Sequence, residues 1–172
     1  MTTAPIWLLD VDGVVNAMHY PPESDYVSTQ VDGGGRSFPI LYRRPLVVRI
    51  GELHRSGVVE ARWLTTWCDH AAQNLGPALC LPEFAVEGAD LYATQARGWW
   101  KSDAARRVSS GEPQRPLIWT DDDLCDARET GELNWVADRH AATLLICPDW
   151  TVGLTDGEVD RIEEFARSQA DA

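Results

Sequence analysis

The chain alternates short apolar runs of strand character with stretches of helical periodicity, and this alternation restricts its fold more than any other feature. Buried strands are predicted at residues 5–10, 58–65, 116–120 and 143–147. Helices are predicted at residues 46–55, 69–75, 102–109, 132–140 and 155–168, the last with a Thr155-x-x-Glu158 capping box. Strands separated by helices favour an α/β fold, with a three-layer parallel sheet covered by helices on both faces. The 172 residues fit a single domain, residues 1–172.

The segment at residues 17–45 interrupts this alternation, because it separates the first strand from its helix by far more than the usual few residues. Residues 26–31 and 37–42 have strand character and flank the sequence Asp-Gly-Gly-Gly at 32–35, which is typical of a hairpin. An insertion directly after the first strand would form a flap over the end of that strand. The alternative is a loop that has no part in the site.

The composition of the chain limits the cellular compartments and the kinds of binding partner that we expect for it. The chain has 44% hydrophobic and 24% charged residues, no apolar run of the about 20 residues that span a bilayer, and no N-terminal secretory signal. We therefore expect a cytoplasmic protein with no membrane partner. A net charge of −12 disfavours broad binding to nucleic acid but not to a small phosphorylated substrate. The four cysteines, none in a C-x-x-C pair, are predicted to be free, buried thiols: Cys68, Cys80, Cys125 and Cys147.

Two aspartates follow the first strand with a spacing that suggests a metal site. Asp10 and Asp12 are separated by one residue and followed by Gly13, so that in a strand both carboxylates would point to the same face. Carboxylates this close repel each other unless a cation or a shared proton intervenes, and Mg²⁺ is the hard cation that takes such ligands together with phosphate oxygens. The alternative is an ordinary Asp-Gly turn at the end of a strand.

Further polar residues follow the other predicted strands. Thr65 and Thr66 end the second strand, where a hydroxyl and the next backbone N–H can hold an anionic oxygen. The third strand runs into three consecutive aspartates at 121–123, with Asp126 just beyond, and this pattern indicates either a metal site or an acidic helix cap. Lys101 lies near a predicted helix start, where the helix dipole disfavours a cation, so it either faces carboxylates or a phosphate, or is simply exposed. Three nearby arginines are alternatives to it: Arg97, Arg106 and Arg107.

The order of these motifs resembles the haloacid dehalogenase (HAD) superfamily of phosphohydrolases: D-x-D-G at strand one, threonine at strand two, an upstream lysine, then paired aspartates. The resemblance runs from Ile6 to about Phe165. The tryptophans around Thr65 and Thr66, and the ending from Cys147 to Thr155, also resemble a small bacterial HAD group whose members occur fused to nucleic-acid repair modules. The resemblance implies a Rossmann-like fold in which a short flap stands in place of the larger caps of the family.

The resemblance also implies a role for each residue. Asp10 would be the nucleophile that forms an aspartyl-phosphate, and Asp12 would be the acid and base. Mg²⁺ would be held by Asp10, by the backbone carbonyl of Asp12, and by Asp121 or Asp122, with Asp123 and Asp126 left open as alternatives. Thr65 and Lys101 would bind and neutralise the phosphoryl group. Four further residues are substrate-binding candidates: Gly13, Thr66, Arg43 and Arg44.

Three functions are compatible with the sequence. The first is a Mg²⁺-dependent phosphomonoesterase. The second is a phosphatase for the 3′ or 5′ end of a nucleic acid, which Arg36, Arg43 and Arg44 on or beside the flap could contact. The third is a non-catalytic binding or regulatory module of the same fold. An open site with a short flap suits a bulky substrate as well as a small one, and the sequence leaves the oligomeric state open.

Overall fold

The computed structural model describes residues 4–19, 25–94 and 99–170. Its strands are β1 (Ile6–Leu9), β2 (Tyr26–Asp32), β3 (Ser37–Arg43), β4 (Glu60–Trp63), β5 (Ala85–Val86), β6 (Leu117–Thr120) and β7 (Thr143–Ile146). Its α-helices are α1 (Arg44–Arg55), α2 (Gly76–Ala78), α3 (Ala89–Thr94), α4 (Trp100–Ser109), α5 (Leu124–Glu129) and α6 (Asp156–Ala170).

Five strands form one parallel sheet in the order β5-β4-β1-β6-β7, with β1 at its centre. Alternation along β1 divides the core, because successive side chains in a strand point to opposite faces. Trp7 and Leu9 pack in the cluster that contains the buried residues of α1 and α6. Ile6 and Leu8 pack in the cluster that contains the buried apolar residues of α4 and α5. This confirms the predicted α/β fold with a parallel sheet between helices.

Strands β2 and β3 form a separate antiparallel pair, with Tyr26 opposite Arg43 and Asp32 opposite Ser37. Gly34 and Gly35 in the connection both have positive φ, of 81° and 86°, which glycine adopts without the steric cost of a Cβ. The pair lies where the pattern at residues 26–42 predicts a hairpin. Residues 20–24 of the predicted insertion lie outside the described residues.

Several elements differ from the sequence predictions. The predicted helix at 132–140 is a short 3₁₀ segment, Asn134–Asp138. The predicted helix at 69–75 is present, with a π-helical stretch at Ala71–Leu75 that continues into α2. In the 3₁₀ segment the indole of Trp135 donates a hydrogen bond to Ser102 at 2.8 Å, and this tertiary contact overrides the local helical pattern. The pattern missed β5, α3 and α5, which have two, six and six residues and are too short for a clear period. The predicted capping box is present, because Thr155 N–H donates to Glu158 and Glu158 N–H donates to Thr155 Oγ1.

The cysteine prediction is half right. All four cysteines are free, as predicted, but Cys80 and Cys125 are exposed and Cys68 and Cys147 are only half-buried. Cys68 and Cys80 have positive φ, of 46° and 58°, because they occupy turns rather than the core.

Among the helices in the described ranges, none combines the length and the apolar character needed to cross a membrane.

Candidate functional site

The sheet brings three strand ends together. Leu9, the last residue of β1, lies opposite Trp63 of β4 on one side and Thr120 of β6 on the other. Because all three strands run parallel, the residues that follow them emerge at one edge of the sheet. This is the edge at which α/β folds bind ligands, and the flanking of β1 by β4 and β6 makes it a topological switch point.

Three carboxylates meet at this edge. Asp10, Asp121 and Asp122 each place an oxygen within 4.8 Å of the others. Asp10 is 5% exposed and Asp121 is fully buried, whereas Asp122 is half-buried. We call these three residues the carboxylate cluster. Of the four aspartates at and beyond the end of β6, the structure therefore turns Asp121 and Asp122 to Asp10.

Lys101 lies inside the same site. It belongs to the first turn of α4 and is only 4% exposed. Its ammonium group donates to Asp10 Oδ2 at 2.7 Å and to Asp121 Oδ2 at 2.9 Å. These two carboxylates account for a lysine at a helix start, where the helix dipole alone would disfavour it.

The cluster has more negative charge than Lys101 can balance. Burial raises the pKa of Asp10, and the Lys101 ammonium only partly opposes this effect. Burial together with the charge of Asp10 raises the pKa of Asp121 to about 7 and that of Asp122 to about 6. Burial would lower the pKa of Lys101, but Asp10 and Asp121 raise it above its ordinary value. Near neutral pH the site therefore retains a proton or requires a further cation.

Gly13 makes room for one of these carboxylates. Its φ is +72°, and a Cβ on Gly13 would lie 2.4 Å from Cγ of Asp122. Any side chain at this position would displace the Asp122 carboxylate as well as strain the backbone. The conformation of the D-x-D-G turn therefore determines where Asp122 can place its carboxylate oxygens.

Asp12 is held separately from the cluster. Its Oδ1 accepts a hydrogen bond from the Asn16 amide at 2.7 Å, and its Oδ2 accepts one from the Trp67 indole at 2.9 Å. Asn16 Oδ1 in turn accepts the backbone N–H of Leu41 in β3 at 2.8 Å. Both oxygens of Asp12 are thus oriented by neutral donors that are themselves fixed by the fold.

The backbone of the turn leaves the Asp12 carbonyl out of its hydrogen bonds. The N–H groups of Val14, Val15 and Asn16 all donate to the carbonyl of Val11, and that of Gly13 donates to the carbonyl of Asn16. Asp12 O accepts none of these hydrogen bonds, and neither does Gly13 O, so both carbonyls are without a partner within the turn.

The two threonines after β4 have different surroundings. Thr65 is fully buried, its hydroxyl accepts the Trp67 backbone N–H at 3.3 Å, and it lies close enough to Asp10 to lower the pKa of that carboxyl slightly. Thr66 is exposed and faces a cavity. Thr65 thus lies beside Asp10, whereas Thr66 lines the cavity next to Asp12.

A cavity of about 440 Å³ opens beside Asp12. One wall comes from the β2–β3 pair, the other from the segment after β4, and they meet where Phe38 and Trp67 pack edge to face with ring centroids 5.5 Å apart. We call this the Asp12 cavity, and its lining residues are Asp12, Asn16, Met18, Gly33, Phe38, Pro39, Thr66, Trp67 and His70.

The structure does not bring the predicted arginines to the cluster. Arg43 forms ion pairs with Asp25 at 2.9 Å and with Asp156 at 2.6 Å. Arg44 and Arg36 are exposed, one at the start of α1 and the other at the β2–β3 connection.

The alternatives to Lys101, and the two remaining aspartates, also lie elsewhere. Arg106 is exposed, Arg107 pairs with Asp90 at 2.8 Å, and Arg97 lies outside the described residues. Asp123 and Asp126 are exposed, at the cap and in the first turn of α5.

Sequence reasoning missed Asn16 and Trp67, the two residues that orient Asp12. The available signal for Asn16 was its position in the Asp12-Gly-Val-Val-Asn16 turn, because an amide just after a D-x-D-G turn can fold back onto a carboxylate. Trp67 had no comparable signal, because its indole reaches Asp12 across 55 residues of sequence.

Comparison with protein-family models, with curated proteins and with solved structures finds no match to this chain.

Proposed function

We propose that this protein is a Mg²⁺-dependent phosphomonoesterase that works through an aspartyl-phosphate on Asp10. The observation that supports this most is the division of the site into two parts. One part is the carboxylate cluster with Lys101 inside it, and the other is Asp12, held apart by two neutral donors. A nucleophile beside a cation site and a separate acid are the groups used by phosphoryl transfer that passes through a phosphorylated side chain. The order of the motifs, which resembles that of the HAD superfamily, supports the same assignment.

The donor set fits Mg²⁺. Asp10, Asp121 and Asp122 offer three carboxylate oxygens close together, and the carbonyl of Asp12 would be a fourth ligand. Hard oxygen donors of this kind suit Mg²⁺, and the excess negative charge of the cluster favours a divalent cation. Bound there, Mg²⁺ would offset the charge of the phosphoryl oxygens and of the carboxylates.

The residues of the chain supply the remaining steps. A carboxylate oxygen of Asp10 forms a bond to phosphorus while the bond from phosphorus to the leaving oxygen breaks, and Asp12 gives its proton to that oxygen. Asp12 then takes a proton from a water molecule, which attacks phosphorus and releases phosphate from Asp10. Lys101 and Thr65 would hold the phosphoryl oxygens and balance their charge.

The β2–β3 pair would serve as the flap of this site. Gly33, Phe38 and Pro39 from this pair line the Asp12 cavity, and Asn16 links its backbone at Leu41 to Asp12. A leaving group bonded to an oxygen near Asp12 would extend into the space beneath this pair. The proposed flap therefore contacts the leaving group rather than the phosphate.

A phosphatase screen tests the proposed function. We expect hydrolysis of at least one phosphomonoester among nucleotides, sugar phosphates, oligonucleotide ends and an aryl phosphate, with activity lost on chelation and restored by Mg²⁺. An absence of turnover across the whole panel, with Mg²⁺ bound normally, would contradict it. In that case, failure to bind beryllofluoride with Mg²⁺ would favour the non-catalytic module.

The nucleic-acid alternative has its own measurement. Arg43, one of the residues suggested for contact with a polymer, is occupied by Asp25 and Asp156. We therefore expect an oligonucleotide end to be hydrolysed no faster than the matching mononucleotide. A clear preference for the oligonucleotide would restore the polymer as the substrate.

Gly13→Ala is expected to weaken Mg²⁺ binding by about 10–100-fold. This is the range typical of mutations that disturb the residues orienting a metal ligand. The reason is that the new Cβ would occupy the place of the Asp122 carboxylate. Isothermal titration with Mg²⁺ would measure the effect. Gly57→Ala is the matched control, because Gly57 has the same φ of +72° but open space around its Cβ position. Equal losses of affinity in the two variants would assign the effect to backbone strain alone.

Trp67→Phe is expected to lower kcat by about 10–100-fold while leaving Mg²⁺ affinity intact. The variant keeps a ring in the cavity but removes the indole N–H that holds Asp12 Oδ2 at 2.9 Å, so the acid is less well oriented. Steady-state kinetics together with Mg²⁺ titration would measure the two quantities. An unchanged kcat would show that this hydrogen bond does not position the acid.

The metal-free protein is expected to lose stability as pH rises from 5 to 8. The pKa values of Asp121 and Asp122 in the folded protein, about 7 and about 6, lie above the ordinary value of 3.8. A carboxyl whose pKa is raised by folding stabilises the folded protein while it keeps its proton. This contribution is complete below pH 3.8 and is lost as the pH rises through the folded pKa values of about 6 and about 7. The Tm should therefore fall by several degrees, since about 1 kcal/mol corresponds to about 2–4 °C in a domain of this size.

Saturating Mg²⁺ should flatten this dependence, because it replaces the protons that the cluster retains. Thermal melts across the pH range with chelator and with Mg²⁺ would measure the difference, and Asp122→Asn should show a shallower slope without metal. Identical slopes with and without Mg²⁺ would mean that the cluster does not hold the ion.

A further inference from the structure

The Asp12 cavity collects apolar side chains that the fold leaves exposed. Met18 is 52% exposed and Phe38 is 40% exposed, and both face this cavity although they come from different segments. They are two of the five large hydrophobic side chains that are exposed in the described part of the chain. Exposed apolar groups gathered around one concavity indicate a binding surface rather than chance exposure.

We propose that the leaving group of the substrate carries a flat, uncharged aromatic ring that packs against Phe38 and Trp67 in the Asp12 cavity. This inference rests on the proposed function, because it concerns the part of the substrate that leaves with the oxygen protonated by Asp12. The Phe38 and Trp67 rings meet edge to face at 5.5 Å, so they form an aromatic corner against which a third ring can pack.

The position of the cavity links it to the reaction. The indole of Trp67 lines the cavity and also donates its N–H to Asp12. This hydrogen bond fixes the position of the Trp67 ring relative to the Asp12 carboxyl, the proposed acid. A ring one or two bonds away from the leaving oxygen would reach the aromatic corner while that oxygen remains near Asp12.

The charge of the cavity restricts the substrate further. Among its nine lining residues, all of them in the described ranges, there is no lysine or arginine, and His70 is the one basic side chain. A second phosphate or a carboxylate on the leaving group would lose its water in this mostly apolar cavity and would find only His70 as a basic partner. The cavity thus selects against sugar bisphosphates, nucleoside polyphosphates and phosphorylated acids.

The test compares three esters whose leaving alcohols differ in ring character and charge but little in basicity. These are benzyl phosphate, cyclohexylmethyl phosphate and 4-carboxybenzyl phosphate. We expect kcat/KM for the benzyl ester to exceed that for the cyclohexylmethyl ester by about tenfold, the ratio typical of a well-formed aromatic contact. The carboxylated ester should be the poorest of the three substrates.

Phe38→Leu should bring the ratio of the benzyl to the cyclohexylmethyl ester close to one, because it replaces a flat ring with a branched side chain. Tyr92→Leu is the matched control. Tyr92 is similarly exposed, at 43%, and its ring also packs on a tryptophan, with its centroid 5.3 Å from that of Trp100, but it does not line the cavity. This control should keep the wild-type ratio.

The outcomes separate the two proposals. Equal kcat/KM values for the benzyl and cyclohexylmethyl esters, or a preference for the carboxylated one, would overturn the aromatic leaving group while leaving the phosphatase in place. A ratio that falls equally in Phe38→Leu and Tyr92→Leu would overturn the assignment to this cavity. Failure to hydrolyse any phosphomonoester would overturn the proposed function itself.

Discussion

Lys101→Met is expected to destabilise the metal-free protein at pH 8 by about 3–5 kcal/mol, the range for removing one partner of a buried ion pair. Methionine keeps most of the volume of the side chain but leaves Asp10 and Asp121 buried without their shared cation. The loss should shrink at pH 5, because both carboxyls can then take up protons, and it should shrink in Mg²⁺, which supplies positive charge. Urea unfolding of the wild type and the variant under these conditions would measure it.

Arg107→Met is the matched control for this prediction. It removes a cation from the same helix, α4, but the partner of Arg107 is the exposed Asp90. Exposed pairs contribute little, so this variant should unfold close to the wild type. A Lys101→Met protein as stable as Arg107→Met at pH 8 would show that the two carboxylates are neutral without their lysine.

Asp10→Asn is expected to lower the rate of the proposed phosphatase by roughly 10⁴-fold or more, the scale on which enzymes lose activity when their nucleophile is removed. The amide has nearly the shape of the carboxylate but cannot attack phosphorus. The fold should persist, because the substitution removes one of three mutually repelling carboxylates. Single-turnover assays and thermal melts would separate loss of chemistry from loss of structure.

Asp123→Asn is the matched control for Asp10→Asn. It makes the same chemical change at an exposed aspartate next to the cluster. Its activity should stay close to that of the wild type. Substantial Mg²⁺-dependent activity in Asp10→Asn would exclude Asp10 as the nucleophile and with it the aspartyl-phosphate.

Much of the fold could be predicted because the strands of a parallel sheet are buried on both faces. Such strands read as continuous apolar runs, as in Ile6–Leu9 and Leu117–Thr120, whose residues are all buried. The antiparallel pair of β2 and β3 was also predictable, because a glycine-rich turn between two strand-like runs is typical of one. By contrast, β5 has only two residues, and its pairing with β4 is decided by the fold around it.

The choice among the clustered aspartates could not be predicted, because it depends on how the chain turns after β6. Asp121 continues the direction of the strand into the core, and Asp122 lies over Gly13. Asp123 begins α5 and faces solvent. Three identical side chains in a row thus have three different environments, and residue type alone does not distinguish them.

By itself, the sequence determined the parallel α/β architecture and which polar residues follow its strands, because burial and turn formation leave local patterns of residue type. Only the tertiary structure decided which of those residues meet. In the folded protein Lys101 lies between Asp10 and Asp121, and Arg43 forms ion pairs away from the cluster. Asn16 and Trp67 both donate hydrogen bonds to Asp12. The physical reason is that hydrogen bonds and ion pairs depend on distances of about 3 Å between atoms. Strand register and helix packing set those distances across 18 to 113 residues in five of these six contacts, and no local pattern records them. Only Asn16, four residues from Asp12, is near its partner in sequence.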